Sequence, residues 1–182
     1  MFGLIILLFE DGPTSDERNS VSIEGRSEES VMDFLTPLLA QFDKIYHDLA
    51  KRHGESYFGM WVLEEIGDRP EGVTQKQLCE ILYSPKQTVN SLITSYVRRG
   101  LVETKPNSCD GRNKLHVLTV AGKEKFEAIR RDEKKLGSYS LNGVSREELD
   151  QVRRVLFGIA DRCTKGVAFL NANEPFPWEG GE

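Results

Sequence analysis

Between Thr74 and Gly122 the sequence sets helix starts and stops so close together that few folds can accommodate them. Thr74 and Gln77 form a capping box, in which each side chain reaches the other residue's backbone N–H. A short helix therefore begins there and runs through Leu82, with Leu78, Cys79 and Leu82 facing inward. A tight break follows at Tyr83. Ser84 reads as the N-cap of a second helix and Pro85 as its first residue, where a missing N–H costs nothing. Along this helix Val89, Leu92, Ile93, Tyr96 and Val97 fall at i, i+3, i+4, i+7 and i+8, which is one apolar stripe. Gly100 ends it after Arg98 and Arg99, whose charges suit the negative end of the helix dipole. Leu101–Thr104 and Lys114–Leu118 then read as strands, joined by a Pro, Asn, Ser, Asp and Gly cluster with hairpin-loop chemistry. Two short helices followed at once by a hairpin are the order of a winged helix-turn-helix.

The flanks read as helices that need partners. From Val31 to Arg52 the residues Leu35, Leu38, Phe42, Ile45 and Leu49 recur at three and four spacing, Pro37 marks a first turn or a kink, and Gly54 ends the helix. Ser56 caps a shorter helix carrying Phe58, Val62 and Ile66, with Gly59 a weak point in it. After the hairpin Thr119 caps a helix with Phe126, Ile129 and Leu136 inward and a charged opposite face, broken by the Gly and Ser residues from Gly137 to Gly143. Ser145 and Glu148 make a further capping box. It opens a long helix whose Leu149, Val152, Leu156, Ile159, Cys163 and Leu170 stay close to a seven-residue repeat, a seam that asks for another helix. The expected fold is mainly α with a small β-hairpin wing: a winged helix-turn-helix at 56–139, dimerisation helices at 30–55 and 140–170, a flexible leader at 1–29 and a loose tail at 171–182.

Charge distribution separates the function classes. The 182 residues carry a net charge of -5, but Lys76, Lys86, Arg98, Arg99, Lys105, Arg112 and Lys114 face only Glu80, Glu103 and Asp110 between Val73 and Lys114, so that segment is +4 and the remainder -9. A basic island in an acidic chain fits a discrete DNA face. The apolar start from Phe2 to Phe9 has no basic residue before it and meets Glu10 and Asp11 at once, so neither a signal peptide nor a membrane anchor is expected. Cys79, Cys109 and Cys163 are odd in number and unevenly spaced, which suggests neither a disulfide framework nor a zinc site and fits a cytoplasmic protein. His47, His53 and His116 are scattered, no metal or other cofactor is expected, and no nucleophile with a base, catalytic carboxylate pair or phosphate loop points to an enzyme.

The second helix carries the functional signal. Lys86, Gln87, Asn90, Ser91 and Thr94 share the face opposite its apolar stripe, joined at its edges by Ser84, Thr88 and Arg98. Amide side chains pair bidentately with adenine and Lys86 reaches guanine or phosphate, while no acidic residue interrupts the face. On the hairpin, Lys114 adds charge, and Arg112, beside Gly111 and two residues after Asp110, can project into a narrow minor groove. The competing readings are a winged-helix module that binds protein, and a thiol redox switch working through Cys109.

The strings Val73–Cys79, Ser84–Ile93, Arg99–Val102, Asp110-Gly-Arg112 and Leu118–Gly122 resemble the MarR (multiple antibiotic resistance regulator) family in order and spacing. The resemblance spans residues 31–170 and is most specific from Ser84 to Gly122. It implies a transcription regulator, a ligand-responsive repressor, acting as a homodimer on a double-stranded DNA operator, with the first and last long helices interleaved. It also implies that Asp110 steadies the wing and Arg112 is its minor-groove finger, although Gly111 stands where the family often has a second Arg. Cys79 falls where the family has a small buried Ala, and Cys163 falls in the dimer seam. An effector cleft beside the first helices makes Tyr46 and Trp61 candidate ligand contacts.

Overall fold

The computed structural model describes residues 31–107 and 113–177. The leader, its apolar start and the hairpin tip with Cys109, Asp110 and Arg112 lie outside the described residues. The elements run α1 (Val31–Arg52), α2 (Tyr57–Gly67), β1 (Val73–Thr74), α3 (Gln75–Ile81), α4 (Lys86–Arg98), β2 (Val102–Pro106), β3 (Lys114–Leu118), α5 (Val120–Ser140) and α6 (Arg146–Ala172). They divide into two compact units. One holds 38–140; of the described residues the other holds 31–37 and 141–177.

The first unit is a winged helix. Its sheet has the antiparallel order β1-β3-β2, with Val73 opposite His116 and Val102 opposite Leu118. The two-residue strand β1 was missed in the sequence because it is too short to show alternation, and Thr74 was read only as a cap. Thr74 does both, since its capping box with Gln77 is complete. Helix α2 is buried along nearly its whole length, with Met60, Val62 and Leu63 fully covered, and the core also takes in Leu78, Val89, Tyr96 and Ile129. Of the stripe expected on α1, Leu49 is buried, whereas Leu38 and Ile45 remain exposed.

Two local expectations are corrected. Ser84 is not the N-cap of α4: Pro85 is, with ψ at 142°, and the Ser84 hydroxyl instead donates to the Leu82 carbonyl at 3.0 Å. Residues 83–85 are thus spent on the turn, in which Tyr83 takes the left-handed φ of 46° and the Ser84 N–H donates to Cys79 O. Gly137 does not break α5, which continues to Ser140; the chain turns at 141–143, where Gly143 has φ of 85°. A helix interior tolerates one glycine at a cost of about 1 kcal/mol, which the neighbouring turns of a 21-residue helix absorb.

Thr119 caps α5 as expected, accepting from the Gly122 N–H at 3.1 Å and donating to the Gly100 carbonyl at 2.6 Å. One hydroxyl therefore joins the start of α5 to the turn that follows α4, where Gly100 holds φ at 72°. Thr119→Ala should lower stability by about 1–2 kcal/mol in chemical denaturation, whereas Thr119→Ser should retain most of it.

In the second unit α6 starts from the expected Ser145–Glu148 capping box. It ends at Asn173, whose left-handed φ of 53° lets the Glu174 N–H reach Phe169 O. The chain after it turns back, with Phe176 5.9 Å from Phe169 between ring centroids. Val152, Val155, Val167 and Leu170 are exposed on this helix, as is the free Cys163. Among the described residues no helix is long and apolar enough to cross a membrane.

Candidate nucleic-acid interface

Helix α4 presents the residues singled out in the sequence. Val89, Ile93 and Tyr96 are buried, which turns Lys86, Gln87, Thr88, Asn90, Ser91, Thr94 and Arg98 outward, and all seven are exposed. Ser84 is half-buried and engaged in the turn. The Ser91 hydroxyl donates back to Gln87 O at 2.9 Å, so its hydrogen is held locally while its lone pairs stay outward. From Lys86 to Val102 the chain has no acidic residue. The face is anchored from behind by Gln75, whose Nε2 donates to Lys86 O at 3.0 Å. Beside it Phe58, Pro85 and Leu92 line an open groove of about 620 Å3, together with Gln87, Thr88 and Ser91.

On the wing, Lys114 is exposed at the start of β3 opposite Pro106. His116 is buried at the sheet centre, its Nδ1 3.2 Å from the Thr104 hydroxyl. Burial, and then the charge of Lys114, depress its pKa, so the imidazole is neutral at pH 7. Tyr46 and Trp61 are both 5% exposed, with ring centroids 5.4 Å apart in the core. Cys79 is half-buried and unpaired. Among the described residues no cluster of His, Cys, Asp or Glu is arranged to hold a metal.

Two buried acidic sites escaped the sequence reading, because each is assembled from residues far apart in the chain. Glu55, in the turn between α1 and α2, has a side chain only 2% exposed, 2.9 Å from Lys125 Nζ. Burial acts to raise its pKa, but hydrogen bonds from Arg99 and Lys125 outweigh that and hold it below the usual carboxylate range. Glu64 on α2 and Glu133 on α5 form the second site, both buried, with Arg130 reaching Glu133 at 3.4 Å and pairing with Asp68. Burial and then the hydrogen bond and charge of Glu133 push Glu64 up to about 9. Arg99 was read only as a charge at the helix C-terminus and Glu133 was not singled out; only the fold reveals their partners.

Residues 60–113 match the sequence model of the MarR family. The fold is similar to that of a putative MarR family transcriptional regulator from Listeria monocytogenes in complex with 26mer DNA. The two share 18% identity at a TM-score of 0.63, over 81% of this chain and 98% of that one. A second MarR family transcription regulator shares 26% identity at a TM-score of 0.64, over 73% of this chain and 87% of its own. The heme sensor protein PefR from Streptococcus agalactiae, in complex with heme, shares 23% at 0.53, over 74% and 94%. No curated protein sequence matches the chain. Over residues 60–113, and in the fold that surrounds them, this chain is similar to MarR family regulators.

Proposed function

We propose that the protein is a DNA-binding transcription regulator that works as a homodimer, with α4 reading bases in the major groove and the wing entering the minor groove. The observation that carries this reading is the exposed α4 face, rich in amides and hydroxyls, closed by Arg98 and free of carboxylates. The exposed valines and Leu170 of α6 form an apolar stripe that a second copy would cover, which makes α6 and the start of α1 the dimerisation helices. Two copies would then address half-sites about 34 Å apart. Repression is the simplest outcome of such occupancy. A small-molecule effector would act by changing the separation of the two α4 helices and so favouring one state; Tyr46 and Trp61 stay the candidate contacts, reached through a rearrangement of the core.

The test is a binding titration with a duplex selected from a random pool. Affinity should fall steeply between low and moderate salt as phosphate contacts are screened. Arg112→Ala should weaken binding by roughly 1–3 kcal/mol at fixed salt. Binding that is insensitive to salt, or absent, would overturn the DNA reading in favour of a protein-binding module.

A further inference from the structure

The two ends of α4 are held very differently. At the N-terminal end an amide hydrogen bond from Gln75 to Lys86 O is, among the described residues, the one side-chain hydrogen bond that crosses to another element. At the C-terminal end one buried carboxylate gathers donors from three residues. Glu55 Oε2 accepts from Tyr96 Oη at 3.2 Å and Arg99 Nη1 at 2.8 Å, and Oε1 accepts from Arg99 Nη2 at 2.6 Å. Lys125 of α5 lies 2.9 Å from the same oxygen and donates onward to His53 O at 2.6 Å. The guanidinium of Arg99 is thus gripped by both its terminal nitrogens, a two-point contact that fixes orientation as well as distance. Tyr96, 1% exposed, is tight against α2: a Cβ placed on Gly59 would lie 2.6 Å from the phenol oxygen. Gly59 is therefore a close-approach site for this ring, not the weak point the sequence suggested.

From this geometry we infer that Glu55 is a positioning residue for DNA reading. It clamps the C-terminal end of α4 to the α1–α2 turn and to α5, so that the base-reading face meets the groove at one fixed tilt. The inference rests on the DNA reading above and deepens it. Bidentate base contacts demand tight geometry, whereas phosphate attraction is long-ranged and tolerant of angle. Loosening the clamp should therefore cost specific binding and spare non-specific binding. A merely destabilising change would reduce the active fraction and lower both alike.

The experiment uses the full chain and measures affinity for a selected operator duplex and for a scrambled duplex at one salt concentration. Glu55→Gln keeps the size and removes the charge that holds Arg99 and Lys125. Its operator affinity should drop about tenfold, with the scrambled duplex bound as well as before or slightly better. Tyr96→Phe, which removes one donor and leaves the ion pairs, should show the same pattern more weakly, and it decides the matter if Glu55→Gln does not fold. Equal losses on both duplexes, or an unchanged ratio, overturn the positioning role and leave the DNA reading standing. Wild-type protein that does not prefer the operator overturns the DNA reading and this inference with it.

Discussion

Gly122→Ala is expected to lower the unfolding free energy by roughly 3 kcal/mol, through overpacking against backbone. A Cβ at position 122 would lie 2.0 Å from the Leu101 carbonyl oxygen, with the Leu118 Cβ only 3.3 Å away. That oxygen cannot step aside, because it also accepts the Thr119 N–H at 3.0 Å, while Leu101 itself donates to Tyr96 O at 2.9 Å. Moving it would pull on buried Val102 and on the end of α4 together. Gly137 on the same helix supplies the control, since a Cβ there meets nothing within 4 Å. Gly137→Ala should stabilise by up to about 1 kcal/mol, by restricting the unfolded chain. Urea denaturation with unchanged m values checks both, and a Gly122→Ala midpoint at or above that of the wild type would refute the packing argument.

Glu64→Gln should stabilise the protein, and by more at high pH than at low. In the folded state Glu64 holds its proton up to about 9, well above the ordinary carboxylate value of 4.5, because it is buried and accompanied by Glu133. A raised carboxyl favours folding relative to its ionised form only while it is protonated. The stability it permits is complete below about pH 4.5 and is lost progressively as pH rises toward 9. Arg130 offsets part of this, Asp68 and Glu133 add to it, and the buried Tyr46 hydroxyl, itself pushed upward first by burial and then by Glu133 and Glu64, offers no charge. The amide variant cannot ionise, so its advantage should grow between pH 5 and pH 9 to about 2–4 kcal/mol. Denaturation midpoints for both proteins at pH 5, 7 and 9 test this; parallel pH profiles would show that Glu64 does not titrate with folding.

The buried acids also explain where sequence reading stopped. Glu64 and Glu133 lie on helices separated by the whole winged segment, and Glu55 meets Arg99 across 44 residues. Neither pairing leaves a periodic trace, because a charged residue at an inward position looks in sequence like one at the edge of a solvent face. The same blindness hid β1, whose two residues gain their strand character only from the Leu115–His116 edge that they join. Local chemistry, by contrast, was legible at most caps whose partners lie within four residues, the Ser84 cap excepted, since its hydroxyl turns back to Leu82 O. The Thr74–Gln77 and Ser145–Glu148 boxes, the Thr119 cap and the inward Val89, Ile93 and Tyr96 stand where spacing put them.

The sequence by itself determined the order of helices and hairpin and which face of the Lys86–Arg98 helix points outward, since caps, glycine stops and 3.6-residue periodicity act over a turn or two of chain. Tertiary structure alone decided how that helix is gripped at its C-terminal end, why positions 59 and 122 admit no side chain, and which carboxylates are buried. Those features depend on distances between segments that the chain brings together only on folding, and short-range pattern carries no information about them.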